Sequence, residues 1–459
     1  AFRAGIIQTP FSAAGRSRRA FRAFVIGFNI CKVLASLPYQ RGYLPSMQLS
    51  PSFAFASGVK AGLLEAILAP ASHILENYIR DVRQDGAMSD PKFLRLGVCR
   101  VLSQAASGRD FLQMLRDTMD ESVARASFFD SLHQERRSQV LDQLNRELVL
   151  RNKVAMPDLL RNFPHLKGVP VFAVDGHHVE HAVHSPDDPK GEKLSANNLY
   201  LLCLHTGFMC NFGVVQGDGR HGHELPVFRN RLERQLSGYK ARRGQHPPIF
   251  IGDPAFVDKV FWTRMAMTKV SARFITRTKA NMKPIVYNSM AWDTTDPVND
   301  GVEADEFVGI DGAMAMRRVR YRDPETGTRY EFLTSVDDLP PGLIAVLYLA
   351  RWRIEKVFDT TKNKLEETKG WAVGATAQDI RAHLVALTHN LLLLFRETLG
   401  REHGMKEEKV ERKHAEQLRE REEKAAASGR HVAPAQKLLP AVIQLTAQFV
   451  RAVRNGILG

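Results

Sequence analysis

Three carboxylates are placed where a protein could use them to hold divalent cations. Asp175 and Asp253 each follow a short apolar run, and each precedes a residue that turns the chain, Gly176 or Pro254. Ligands and chemistry gather at strand ends in an α/β sheet. A third carboxylate, Glu355, lies in a segment with helical periodicity. These positions predict a hard-oxygen site for Mg²⁺, where two ions ~3.5–4 Å apart can activate an attacking oxygen and stabilise the leaving one.

The predicted helix that carries Glu355 has a polar face beside its apolar stripe. At ~100° per residue, Tyr348, Arg351, Glu355 and Lys362 fall within an arc of ~60°. We expect these side chains to be half-buried and to form one wall of a cleft. The simpler alternative is a surface ion pair between Arg351 and Glu355, worth only ~0.3 kcal/mol, which does not explain the other two residues. Asp359 shares the same face and competes with Glu355 as the third acid.

Taken together, these residues resemble the DDE transposases of the insertion sequence four group. The resemblance covers roughly residues 168–400, and it rests on the two aspartates in order, followed by the Tyr-(2)-Arg-(3)-Glu-(6)-Lys pattern of the helix. The flanking sequences RFITRTKAN and FLTSVDDLPPGLIAVLYLARWRIEKVF agree with it. One departure is DPAF at the second acid, where the family often has Asp-Arg-Gly followed by Tyr or Phe.

The resemblance implies an α/β fold, namely a ribonuclease-H-like core with a β-rich insertion, flanked by N- and C-terminal helical regions. It implies that Asp175, Asp253 and Glu355 hold Mg²⁺ or Mn²⁺, as two ions. It implies cleavage at the ends of a DNA element and joining of those ends to double-stranded target DNA by a homodimer assembled on DNA. The contacts to DNA phosphates would then come from the helix: Tyr348, Arg351 and Lys362.

Two other functions remain open alternatives. A metal-dependent DNA nuclease of the same fold would cleave DNA without joining it. A catalytically inactive, DNA-binding descendant would keep the fold alone. The DPAF sequence and the unusual N-terminal segment favour this descendant, whereas carboxylates at all three acid positions oppose it.

The composition is typical of a globular protein with a polyanionic partner. The chain has 459 residues, a formal net charge of +14 and a sequence pI of about 9.7. Such a basic balance favours nucleic acid first and an acidic membrane surface second. Four cysteines without paired spacing argue against a disulfide framework or a zinc site, which fits a reducing compartment. No apolar run reaches the ~18 residues of a membrane span, so we expect a cytoplasmic protein and, by the resemblance, a bacterial one associated with the nucleoid.

The pattern along the chain predicts six regions. The first is a basic extension without any acid, which is either a basic arm or a transit-like segment, or sequence upstream of a true start at Met47. The helical second region is either a DNA-binding module or a plain packing domain. The regions are the basic extension 1–58, the helical region 59–167, the first part of the core 168–282, the β insertion 283–335, the second part of the core with the catalytic helix 336–400, and the C-terminal helical region 401–459.

Two further clusters could bind ligands. Arg317, Arg318 and Arg320 lie in one arm of a predicted hairpin, where they could contact DNA or be ordinary solvated arginines. The sequence HHVEHAVH, which begins at His177, contains histidines at a spacing that can bind a transition metal on a helix, but it follows a strand, so a solvated or supporting histidine cluster is the better interpretation. The sequence HGHE, which ends at Glu224, is interpreted as a loop before a helix.

Overall fold

The computed structural model describes most of the chain after residue 50. The described residues are 51–458, apart from 87, 104, 106, 185–192, 216–223, 238–245, 268–271, 280, 311–314, 364, 366–369, 404–407, 441–444 and 446. Most of the predicted basic extension, residues 1–50, therefore lies outside them. Across the described ranges, no helix is both long and apolar enough to cross a membrane.

Helices make up the N-terminal part of the described chain, as the apolar spacing predicts. The second helix begins after Ser89, whose hydroxyl accepts the N–H of Lys92 at 3.3 Å, and proline occupies its first turn. The helices are α1 (Pro51–Asn77), α2 (Asp90–Leu102), α3 (Gly108–Met119), α4 (Arg125–Ser131) and α5 (Glu135–Asn152).

A single nine-stranded sheet forms the centre of the molecule, with strand order β3-β2-β1-β4-β5-β9-β8-β7-β6. Strands β1, β2 and β3 are antiparallel, and β4 and β5 run parallel to β1. This five-strand order is that of a ribonuclease-H-like core, so the predicted fold is confirmed. The strands are β1 (Val171–His184), β2 (Lys193–Cys203), β3 (Met209–Val215), β4 (Ile249–Ile251), β5 (Arg273–Arg277), β6 (Ile285–Ser289), β7 (Val302–Gly309), β8 (Met316–Arg322) and β9 (Arg329–Thr334).

Helices cover both faces of the sheet, because alternate strand residues point to opposite sides. Ala173 and Tyr200 belong to one core with the N-terminal helices and α8, α9 and α10, whereas Val174 and Leu199 belong to a second core with α6 and α7. These helices are α6 (Glu224–Ser237), α7 (Lys259–Met267), α8 (Pro341–Ala350), α9 (Arg353–Asn363) and α10 (Ala375–His403), and three more follow as α11 (Glu408–Ala427), α12 (Pro434–Lys437) and α13 (Ala447–Leu458).

The β-rich insertion extends the core sheet. Strand β9 pairs antiparallel with β5, and β8, β7 and β6 follow outward. The predicted hairpin is present as β8 and β9, and Gly327 closes its turn with φ 73° and an N–H bond of 2.7 Å to the carbonyl of Asp323. The insertion therefore joins the core sheet through β5, the neighbour of the strand β4 that precedes Asp253.

The predicted catalytic helix is broken in two, at the residues between α8 and α9, so the expectation of one continuous helix is wrong. The N–H groups of Arg351, Trp352 and Ile354 each bond to a carbonyl three residues earlier, at 3.1, 3.3 and 2.9 Å. Such bonds tighten the chain between α8 and α9 and change the angular position of the residues beyond them. No side chain of the described residues caps the start of α8, and the nearby Asp338 pairs with Arg273 at 2.6 Å.

Candidate active site

The parallel pairing of β1 and β4 places Asp175 and Asp253 level with each other. Ala173 pairs with Ile251, and each aspartate lies two residues further along its own chain. Side chains alternate along a strand, so both aspartates lie on the same face of the sheet as Ala173 and Ile251. Those two residues are buried in the core that includes α8 and α10. Asp175 does not end its strand, contrary to the prediction, because β1 continues in pairing with β2 as far as His184. The pairing of β1 with β4, in contrast, ends at Ala173, two residues before Asp175.

Asp253 is held by a short turn that explains the proline beside it. Its carboxylate accepts the N–H of Ala255 at 2.8 Å and thereby caps the single helical turn Pro254–Phe256. A proline suits the first position of such a turn, where an N–H group would have no partner. The backbone carbonyl of Asp253 accepts the hydroxyl of Thr276 at 2.9 Å, which ties the turn to β5. The DPAF sequence is therefore compatible with a well-positioned second acid.

Glu355 lies in the first turn of α9 and is linked to Asp175 through Arg351. Arg351 donates from one terminal nitrogen to Asp175 at 3.0 Å and from the other to Glu355 at 3.3 Å. The Arg351 side chain is only 8% exposed, whereas that of Glu355 is 50% exposed. The structure thus brings Asp175 and Glu355 together around one guanidinium group, and Asp253 lies close enough for its charge to act on Asp175.

Asp175 has too little positive charge around it despite this ion pair. Burial raises the pKa of its carboxyl group to about 6, the attraction of Arg351 opposes that rise, and the negative charges of Asp253 and Glu224 add to it. The N–H of Gly176 donates to the carboxylate at 3.0 Å and lowers the pKa slightly. A buried carboxylate in this state favours the approach of a further cation.

Tyr348 is buried, whereas the sequence predicts a half-buried cleft wall. Its ring packs 5.0 Å from that of Phe332, and only 3% of the residue is exposed. Burial raises the pKa of its hydroxyl group, and the nearby Arg351 guanidinium opposes the rise. The reason for the difference is the break after α8, because a projection along one continuous helix misplaces the residues on either side of it. Lys362 belongs to α9, but its side chain lies outside the described residues.

The three arginines of β8 differ in their surroundings. Arg317 is 3% exposed, forms two hydrogen bonds of 2.8 and 2.7 Å with Asp305, and donates to two backbone carbonyls, so it has no surface to offer DNA. Arg318 is 12% exposed and pairs with Glu306 at 2.7 Å. Arg320 also pairs with Glu306 but is 43% exposed, so it alone of the three keeps an open side. The interpretation of Arg317 as a DNA contact is corrected here, since its position in the interior of the sheet requires a buried partner.

Glu224 is a neighbour of the site that the sequence did not reveal. It is the first residue of α6, and its carboxylate accepts from the Asn197 amide at 3.2 Å. A Cβ atom added to Gly176 would meet its carboxylate oxygen at 1.7 Å, so a larger residue there would displace the Glu224 carboxylate. The sequence HGHE gives no sign of this contact, because it depends on how α6 packs against β1 and β2.

The histidines after Asp175 are part of strand β1. His177 is 5% exposed and its ring stacks 5.1 Å from that of Phe358 on α9, so it is a buried packing residue and not a solvated one. His181 and His184 belong to β1, and their side chains lie outside the described residues, as do residues 221–223 of HGHE. Asp359, the rival of Glu355, lies on the exposed side of α9.

The donor chemistry of the acids suits Mg²⁺ or Mn²⁺, since all three candidate ligands are carboxylates and Asp175 lacks compensating charge. Their present spacing does not form a complete site. Within the described part of the chain, no group of three or more histidine, cysteine, aspartate or glutamate side chains is close enough to hold a metal ion. Arg351 lies between two of the acids, so completion of a cation site would require it to move.

Part of the sequence matches the model of one protein family. The family model described as Transposase DDE domain matches residues 167–391, which include Asp175, Asp253 and Glu355. No curated protein matches the sequence. A solved cryo-EM structure of the piggyBac transposase synaptic complex with hairpin DNA aligns at 10% identity and a TM-score of 0.36, covering 84% of this chain and 78% of that one, a similarity too small to support an argument. Over residues 167–391, which contain all three candidate acids, the chain is therefore similar to the transposase DDE domain.

Proposed function

We propose that this protein is the DNA transposase of an insertion sequence, of the insertion sequence four group. It cleaves the ends of its element and joins them to target DNA by phosphoryl transfer. The observation that carries the proposal is the register of β1 and β4, which aligns Asp175 with Asp253 beneath the helix of Glu355, within the region similar to a transposase DDE domain.

The three acids have distinct positions in this proposal. Asp175 and Asp253 would hold the cations from the sheet, and Glu355 would close the site from α9. When bound, Mg²⁺ or Mn²⁺ at such a site supplies charge that favours the attacking oxygen and stabilises the leaving one. The residues near Glu355 would bind DNA phosphates, with the Arg351 fork suited to two phosphate oxygens and Lys362 acting as a point charge. Tyr348 supports Arg351, whose guanidinium lies 5.7 Å from its ring centre.

Double-stranded DNA, as terminal repeats and as target, is the partner that this chemistry requires. The net charge of +14 suits a polyanion. Arg320 remains a proposed DNA contact because it is exposed, and Arg318 a weaker one because Glu306 already holds it. Two element ends must be brought together, so we propose a homodimer on DNA, acting in a bacterial cytoplasm at the nucleoid.

The test uses labelled duplex DNA carrying the inverted repeats that flank the reading frame, with Mg²⁺ or Mn²⁺. The wild-type protein should nick or excise the ends and join them to a target plasmid. Glu355→Gln should abolish cleavage and retain DNA binding. Glu416→Gln, which changes a 58% exposed glutamate in α11, is the matched control and should cleave normally.

The same assay separates the alternatives. Cleavage without any joined product would identify a nuclease of this fold. Salt-sensitive DNA binding without cleavage in either metal would identify an inactive descendant. Full activity in the Glu355→Gln protein would show that the assignment of the acids is wrong.

A further inference from the structure

We propose that Arg351 is an exchangeable counter-ion, which pairs with Asp175 and Glu355 in the free protein and is displaced from them when divalent cations bind. This inference rests on the proposed function, because it concerns the same carboxylates. It adds a conformational step before chemistry, in which the protein's own cation and the metal ions compete for the same two side chains.

The contacts of Arg351 place its guanidinium on the carboxylates that a divalent cation would use. Its two terminal nitrogens are bound to different acids, Asp175 at 3.0 Å and Glu355 at 3.3 Å. A guanidinium at this distance excludes a divalent cation from the same oxygens, because like charges a few ångströms apart repel strongly in a partly buried site. It also occupies the space between the two acids, and across the described ranges no three potential ligands converge on one point.

The Arg351 side chain also has a donor that the acids do not use. Its Nε–H group is buried, the residue is 6% exposed, and no acceptor among the described residues lies within hydrogen-bonding distance of this group. A buried donor without a partner is costly, so the present position of the side chain leaves one of its hydrogen-bonding groups unsatisfied. A phosphate oxygen would satisfy it. The fork can therefore exchange the acids for phosphate oxygens, which accept the same kind of charge-assisted hydrogen bond.

The chain around Arg351 allows such a movement. Arg351 lies at the break between α8 and α9, where the backbone bonds run to carbonyls three residues earlier and the regular helix is interrupted. On one side, Tyr348 is anchored in the core. On the other side, Glu355 is half exposed. Rotation of the exposed Glu355 side chain can thus separate it from Arg351 without unpacking either helix.

The first test measures Mn²⁺ binding by titration calorimetry in the absence of DNA. Removing the resident charge in Arg351→Gln should strengthen Mn²⁺ binding by ~10-fold or more, because an opposite charge at this distance shifts proton affinity of a carboxylate by a similar factor. Arg351→Lys, which keeps the charge but cannot bridge both acids, should fall between the two. Arg329→Gln, at an ion pair that is 71% exposed on the arginine side, is the matched control and should bind as the wild type does.

The second test measures thermal stability with EDTA and with saturating Mn²⁺. The Arg351→Gln protein should melt below the wild type in EDTA, because two acids lose their counter-ion, and Mn²⁺ should close most of that gap. If Arg351→Gln does not fold, the same two measurements on Arg351→Lys decide the question. Mn²⁺ binding that is equal to or weaker than wild type, or absent from all variants, overturns the counter-ion role.

These outcomes are separable from those of the proposed function. If the wild-type protein cleaves and joins DNA but substitution of Arg351 does not strengthen Mn²⁺ binding, the transposase assignment stands and the counter-ion role of Arg351 is refuted. If substitution of Arg351 strengthens Mn²⁺ binding but the wild-type protein never cleaves DNA, the counter-ion role stands and the transposase assignment is refuted.

Discussion

Asp175→Asn should make the free protein more stable at neutral pH. Burial raises the pKa of Asp175 from 3.8 to about 6, so the folded state resists ionisation of this group more than the unfolded state does. At about 1.4 kcal/mol for each pH unit, that difference corresponds to about 3 kcal/mol. Asparagine resembles the protonated carboxyl group and keeps an oxygen that can accept from Arg351, so it should recover most of that free energy.

The sign of the pH dependence follows from proton binding. Below pH 3.8 the carboxyl group is protonated in both states and costs nothing. Between 3.8 and about 6 the folded state binds more protons than the unfolded state, so wild-type stability falls as the pH rises. Above about 6 the cost is complete. The advantage of Asp175→Asn should therefore be about half developed at pH 5 and fully developed at pH 7 and above.

The assay is urea unfolding of both proteins from pH 5 to pH 8, in EDTA, followed by tryptophan fluorescence. Comparison at each pH removes the contribution of every other titrating group that the two proteins share. Asp117→Asn, on an exposed face of α3, is the control and should follow the wild type. If Asp175→Asn is less stable than the wild type at pH 8, the ion pair with Arg351 outweighs burial and the reasoning fails.

Three further changes test other parts of the account. Arg317→Met should lower the free energy of unfolding by ~3–5 kcal/mol, because it leaves Asp305 buried without a partner, and chemical denaturation checks this. Burial lowers the pKa of His389 from 6.5 to about 4, so this group costs stability as the pH falls through that range; between pH 7 and pH 5 the wild type should lose about 2 kcal/mol relative to His389→Gln, as urea unfolding of both proteins at each pH would show. Gly342→Ala should destabilise the start of α8 by ~1–3 kcal/mol in a thermal melt, since the new Cβ would lie 1.8 Å from the backbone oxygen of Val298; an unchanged melting temperature would contradict the packing there.

The sequence predicted the core sheet because its signals are local. Short apolar runs marked β1, β4 and β5, and the turn residues before Gly327 marked the hairpin of β8 and β9. The positions of Asp175 and Asp253 after such runs were enough to expect them together. The structure adds the register that makes this expectation specific, since Ala173 pairs with Ile251.

The features that the sequence could not predict depend on tertiary contacts. No proline or glycine marks the break after Arg351, so the helical period appeared continuous and Tyr348 was placed at a cleft instead of in the core. Arg317 looked like an exposed strand residue because its partner Asp305 is on another strand. Glu224 reaches Gly176 only through the packing of α6 against the sheet.

Cleavage of labelled element ends by Asp253→Asn, in Mg²⁺ and in Mn²⁺, tests the central claim most directly. Asp253 is the acid whose proline neighbour departs from the expected pattern, and its place beside Asp175 follows from strand register alone. The account predicts that the variant binds DNA as the wild type does and yields no cleaved strand. Cleavage at the wild-type rate would contradict a catalytic centre formed by these carboxylates.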